Sequence, residues 1–186
     1  MKILIIQNKM IGDVLTSSIL FEVLKQKYPT SELHFMINPK TVSVLENNPF
    51  IDKYIYLNIN TVQNVVKFYM FLISIKKEHY DAVIDVYGKF NSALISLFSK
   101  AQIKSAYSKK YTSFIYSHTF KRLKKPENNA SLAIENRIKL LAPLNVEFTN
   151  ISPKIYLTTK ETDASRQFLE NNEIDLKKPI YMISVL

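Results

Sequence analysis

Apolar residues along this chain keep switching between two rhythms. Lys2 to Gln7 is a short β-branched run and predicts a buried strand. Around Gly12 the spacing changes: Ile11, Leu15, Ile19 and Val23 recur at every fourth position, with Val14, Leu20 and Leu24 widening the stripe. That helical pattern stops at Tyr28-Pro29, because proline ends helices. Leu33 to Ile37 predicts a second strand, Pro39 to about Glu46 a second helix, and Lys53 to Leu57 a third strand. Asn60 with Gln63 resembles a capping box and predicts one long helix reaching Glu78. Ala82 to Val86 and Ile103 to Tyr107 predict further strands, separated by a helix over Asn91 to Phe98. After a basic, aromatic-rich stretch, Ala130 to Leu141 is helical in pattern and ends before Pro143. Lys154 to Leu157 predicts a strand, Thr159 caps a helix to Glu170, and Ile180 to Val185 predicts a last strand.

Strands alternating with helices imply an α/β fold, a Rossmann-like parallel sheet with helices on both faces. The final strand is the odd one, because a parallel strand needs a neighbour and a covering helix. The expected organisation is one domain over residues 1–150, a connection over 151–178, and over 179–186 the first strand of a second, truncated domain.

Composition narrows the chemistry. The chain has 186 residues and no cysteine, which excludes disulfides and thiolate metal sites. His34, His79 and His118 have no metal-ligand spacing, so neither a zinc site nor any other metal cofactor is expected. His34 and His79 read as surface or strand-end residues. The apolar N-terminus is too short for a signal peptide, and Val65 to Ile75 falls short of the roughly 20 residues of a spanning helix. A cytoplasmic location is the expectation.

Charge is unevenly distributed. Between Asp85 and Glu127 there is no acid, and nine basic residues lie there, equal to the whole chain's net charge of +9. Such a field attracts phosphate, an anionic membrane surface or nucleic acid. In the same segment Lys109, Lys110, Lys121 and Arg122 alternate with Tyr107, Tyr111, Phe114, Tyr116 and Phe120. That pattern suits single strands or an anionic bilayer, and equally a solvated loop carrying a few core aromatics.

In open α/β sheets, ligands bind beyond the carboxyl ends of the strands. The first such loop, Asn8-Lys9-Met10-Ile11-Gly12-Asp13, carries neither a dinucleotide fingerprint nor a P-loop. Gly12 permits close approach to the backbone. Asp13 offers a carboxylate that can take a proton from a sugar hydroxyl, or simply a helix-capping group. The Asp85-Val86-Tyr87-Gly88-Lys89 loop faces the same crevice and reads as a structural turn, with ligand contact as the alternative.

Taken in order, these segments resemble glycosyltransferase family 9, the heptosyltransferases of lipopolysaccharide core assembly. The likeness rests on Lys2 to Ile6 with Ile11-Gly12-Asp13-Val14-Leu15, on Asn48-Pro49-Phe50-Ile51-Asp52, and on Tyr80-Asp81-Ala82-Val83-Ile84-Asp85 with Gly88 and Ser92-Ala93-Leu94. It continues through Asn136-Arg137, Leu140 to Leu144 and Pro179 to Ser184. The resemblance implies the N-terminal, acceptor-binding half of a GT-B-type enzyme with inverting, metal-independent transfer. It implies Asp13 as general base, with Asn8, Lys9, Gly12, Lys109 and Lys110 as candidate acceptor-binding residues. The donor, an ADP-heptose-like sugar nucleotide, is expected on the missing second domain. The acceptor is a phosphorylated lipid or core oligosaccharide at the anionic inner-membrane surface. Asn8, Lys9 and Met10 depart from the small hydroxyl residues that members often carry before the Gly-Asp pair. The alternative is a non-catalytic basic module that binds an anionic membrane or a lipopolysaccharide precursor. Nucleic acid is not an expected partner, and no turnover is expected of the chain alone.

Overall fold

The computed structural model describes residues 1–175 and 178–181. The chain divides into two units, Met1–Ile155 and Tyr156–Leu186. In the first, six strands form one parallel sheet: β1 (Lys2–Ile6), β2 (Glu32–Ile37), β3 (Lys53–Tyr56), β4 (Ala82–Asp85), β5 (Ile103–Tyr107) and β6 (His118–Phe120). Their order is β3-β2-β1-β4-β5-β6. The helices between them are α1 (Ile11–Ser17), α2 (Ile19–Lys27), α3 (Ile59–Gln63), α4 (Val65–Lys77), α5 (Phe90–Phe98) and α6 (Leu132–Lys139).

β1 shows why both faces must be covered. Ile3 and Ile5 join an apolar cluster with Leu20 and Phe21 of α2 and Ile138 of α6. Leu4 and Ile6 join another with Leu72 and Ile75 of α4 and Ile95 of α5. Alternate residues of a strand point to opposite faces, so a run without polar positions belongs in a central parallel strand. Ile6 pairs with Met36 and with Asp85, and Asp85 pairs with Ala106. Gln7 and Val86 therefore leave the sheet at its carboxyl edge, level with Tyr107, the last residue of β5. The strand order reverses between β1 and β4, which puts the ligand-accepting crevice there.

Several expectations need correction. The first helix is interrupted at Ser18, where successive hydroxyls turn back onto the helix. Thr16 donates to the Gly12 carbonyl at 2.7 Å, Ser17 to Asp13 at 2.7 Å and Ser18 to Leu15 at 2.8 Å, competing with the backbone ladder. Ile11 is exposed in consequence, outside the stripe that Ile19 and Val23 bury. Pro39–Val44 is a 3-10 helix. The long helix expected from Asn60 is α3 plus α4, capped by Asn58 and by Asn64. An extended residue at Asn64 ends one helix and caps the next. β6 was not expected from the pattern. It is short and follows a 3-10 turn at Ser113–Ile115.

His34 is neither at the surface nor at a strand end. It lies fully buried within β2, with Nδ1 2.7 Å from Tyr80 Oη and Nε2 2.7 Å from Glu32 Oε1. Lys154 to Leu157 forms no strand. An alternating run that short becomes a strand only with a ladder partner, and no described strand pairs with it. In the second unit, α7 (Thr159–Asn171) is capped by Thr158 rather than Thr159, through a capping box with Glu161. The strand expected at Ile180 to Val185 lies mostly outside the described residues; Ile180 and Tyr181 are not in a strand.

Candidate functional site

A cleft of about 440 Å³ opens at the reversal point, walled by the ends of β1, β4 and β5, the start of α1, and α6. Asp13 is the carboxylate on its wall. Met10 is the N-cap of α1 and makes no side-chain cap bond, and Asp13 does not bond the first-turn amides either. Its Oδ1 accepts from Arg137 Nη2 at 3.0 Å, and its Oδ2 pairs with Lys9 Nζ at 3.2 Å. The capping role left open by the sequence is thus not the one the side chain performs. The two cations differ. The Arg137 side chain is 8% exposed and that of Lys9 is 56% exposed, so the Lys9 contact is weak and easily displaced. A carboxylate has about four lone-pair sites, and these two contacts leave acceptor capacity free.

Arg137 is fixed on every side. Nε donates to Ser17 Oγ at 2.9 Å and Nη1 to the Ala133 carbonyl at 2.9 Å. Ser17 Oγ donates in turn to the Asp13 carbonyl and accepts from Gln7 Nε2 at 3.4 Å. Burial pushes the Arg137 pKa down, against the attraction of Tyr107 and Asp13. The guanidinium ties α6 to α1 and locks the Asp13 rotamer.

Gly12, beside Asp13, is exposed. A Cβ there would meet nothing within 4 Å, and its φ is not positive. Neither packing nor backbone conformation in the chain requires glycine there. Gly88 is different: its φ is +60°, its amide donates to the buried Asp85 at 2.7 Å, and the Lys109 ammonium donates to its carbonyl. Asp85 also accepts from Tyr116 Oη at 2.6 Å. Gly88 thus sits in the structural turn that the sequence suggested, while Val86, Tyr87 and Lys89 of the same loop line the cleft.

Of the candidates, Lys9 and Asp13 come together in the cleft, with Gly12 next to them. Asn8 lines a smaller cavity with Tyr87 and Asn91. Lys109 is turned inward onto the Gly88 loop, Lys110 is exposed, and neither lines the cleft. The cations that do line it, beyond Lys9, are Lys89, Arg122 and Arg137. Gln7, Tyr107 and these three were not singled out as site residues by sequence reasoning. One signal for Arg137 was available: it lies three residues after Ile134, on the buried side of a helix.

Buried side-chain atoms without a partner are Gln7 Oε1, Asn8 Oδ1 and Tyr107 Oη, among the described residues. All three lie at the carboxyl edge. No group of three His, Cys, Asp or Glu residues that could hold a metal occurs among the described residues. No described helix is long and apolar enough to cross a membrane.

The model of glycosyltransferase family 9 (heptosyltransferase) matches residues 69–185. Lipopolysaccharide heptosyltransferase 1 of Campylobacter coli is 30% identical over 96 residues, 52% of this chain and 28% of that protein. The crystal structure of the family 9 glycosyl transferase of Veillonella parvula superposes with a TM-score of 0.74 at 20% identity, over 92% of this chain and 49% of that one. Escherichia coli heptosyltransferase WaaC with ADP gives 0.67 at 20% identity, over 92% and 54%. The chain thus spans about half the length of either solved protein. With the family model matching well over half of its residues, on the fold of these two structures, the chain belongs to glycosyltransferase family 9.

Proposed function

We propose that this chain is the acceptor side of an inverting, metal-independent sugar transferase in which Asp13 is the general base. The observation that carries the reading is Asp13 itself: a carboxylate in a cationic cleft, held from behind by Arg137 with acceptor capacity left over. In the reaction, the acceptor hydroxyl oxygen attacks the anomeric carbon from the face opposite the leaving diphosphate. The new carbon–oxygen bond forms as the bond to the diphosphate breaks, and the hydroxyl proton passes to Asp13. Arg137 holds the carboxylate within reach of that hydroxyl.

The donor in this reading is an ADP-heptose-like sugar nucleotide bound by a second domain. The ADP in the WaaC structure supports it, as does the half-length coverage. The acceptor is a phosphorylated lipid or core oligosaccharide, in keeping with the lipopolysaccharide heptosyltransferase of C. coli. Exposed Lys110, Tyr111, Phe114, Lys121, Lys124 and Lys125 support attachment at the anionic cytoplasmic face of the inner membrane.

Asp13→Asn in the two-domain protein tests the assignment. The amide still accepts from Arg137 but cannot take a proton. Transfer should fall by about 10²–10⁴-fold, with acceptor binding retained. Transfer at the wild-type rate would overturn the assignment. If this chain alone turned over a sugar nucleotide, the requirement for a second domain would be wrong.

A further inference from the structure

Resting on the acceptor-side reading, we propose that Arg122, stacked on Tyr107, is the group through which the cleft recognises an anionic substituent, phosphate or carboxylate, of the acceptor sugar.

Two residues beyond β6, the Arg122 guanidinium lies over the Tyr107 ring, 3.7 Å from its centroid. The backbone on either side is tied down. The Phe120 carbonyl accepts from the Ser108 amide at 2.8 Å, and the Leu123 amide donates to Asn136 Oδ1 at 2.8 Å. Asn136 is 4% exposed and its own amide is bonded to the Leu132 carbonyl. Further along, the buried Glu135 carboxylate accepts from the Glu127 and Asn128 amides, each at 2.7 Å. Helix α6 therefore staples the basic loop to the cleft, and the stack fixes the direction of its arginine. A guanidinium held over an aromatic ring by cation–π attraction retains N–H groups for contact with an anion.

Charge and satisfaction at the site point the same way. Four cations and one carboxylate line the cleft. Asp13 engages Arg137 and Lys9, while Arg122 and Lys89 have no acidic partner among the described residues. Gln7 and Tyr107, 2% and 4% exposed, carry buried oxygens without partners. Native structures leave few such atoms, and here they mark a site that polar ligand groups complete. Hydroxyls and an anion on one molecule answer both features.

The test is calorimetric titration of the chain with a deacylated, phosphorylated inner-core oligosaccharide. Two further probes are the same oligosaccharide treated with phosphatase and, separately, with its carboxyl groups reduced. Arg122→Gln is expected to weaken binding of the intact probe by about tenfold or more and to erase the preference over the treated probe, with the melting temperature unchanged. Arg122→Lys should restore only part, since it returns charge without the fork. Lys77→Gln, the same charge change at an exposed position at the end of α4, outside the cleft, should bind like wild type. Whichever treatment wild type discriminates against identifies the anion. Intact binding by Arg122→Gln, or an equal loss in Lys77→Gln, overturns the proposal while leaving the acceptor-side reading standing. If wild type binds none of the three probes, that reading fails and this proposal with it.

Discussion

At the amino edge of the sheet, Lys2, Glu32, His34, Lys53, Glu78 and Tyr80 form a polar cluster in which the groups satisfy one another. Tyr80 donates to His34 Nδ1 and His34 Nε2 donates to Glu32, a tautomer assigned from this network. Lys2 binds Glu78 at 2.5 Å, and Lys53 binds it at 2.6 Å. At the carboxyl edge, Gln7, Ser17, Asp13, Arg137 and Tyr107 form a second network of similar residue types. Among the described residues, this one leaves oxygens of Gln7, Asn8 and Tyr107 without partners and Arg122 without an acid. Titratable residues are thus a poor guide to function by themselves. Both edges carry shifted groups: at the amino edge burial lowers His34, and bonds from Lys2 and Lys53 pull Glu78 down to about 2, while at the carboxyl edge burial raises Asp85 and Tyr107. What separates the edges is spare bonding capacity next to a cleft.

The contrast is most easily broken at Arg137, which serves both fold and site. Arg137→Met removes a buried cation and its bonds to Ser17 and Asp13, and should cost about 2–4 kcal/mol, read by chemical denaturation. A loss below about 1 kcal/mol would mean that the carboxyl-edge network has no structural share.

Tyr80→Phe should cost about 1–3 kcal/mol, because it leaves His34 Nδ1 buried without a donor. Transfer by the two-domain protein should be unchanged. A specific loss of transfer without a loss of stability would make the amino edge functional.

The pH dependence follows with its sign. His34 has a folded pKa below its ordinary 6.5, so the unfolded chain takes up the proton first. Stability is full above pH 6.5 and declines below it. Glu78, ordinarily 4.5 and about 2 here, adds stability that is full above pH 4.5 and lost toward pH 2. Glu78→Gln should flatten that second decline in a pH series of denaturation midpoints; an unaltered curve would show that the Lys2 and Lys53 contacts are too weak to matter.

A pair of tyrosines sharpens the comparison within the carboxyl edge. Tyr116→Phe deprives buried Asp85 of the donor to its Oδ2 and should cost about 1–3 kcal/mol, whereas Tyr107→Phe removes an unpartnered hydroxyl and should leave stability unchanged or raise it by up to about 1 kcal/mol. Equal losses would mean that Tyr107 is as satisfied as Tyr116, and the contrast between the edges would fall. The smallest expected effect is Gly12→Ala, a stabilisation of about 0.5–1 kcal/mol from helix propensity, accompanied by weaker acceptor use because the added methyl occupies the open space above the helix start.

Much of this molecule was readable from local pattern. The β-branched run at Lys2 to Ile6, the four-residue spacing through Val23, and the position of Gly12-Asp13 after the first strand all follow from chain periodicity. They fix an α/β alternation and put Asp13 at the carboxyl edge before any contact is known. Errors arose where a short polar side chain overrode the periodicity, at Ser18 and Asn64, or where a segment took its state from a neighbour, as β6 did. The partners of Asp13 were not readable in the same way. Arg137 stands 124 positions away and Ser17 bonds it across 120, while Arg122 meets Tyr107 only because β6 lies beside β5 in register. Local spacing decides which side of a helix or strand a residue occupies. Which remote residue faces it depends on how the elements stack on the sheet, and at this cleft that stacking turned a helix-start carboxylate into one aimed and backed by arginine.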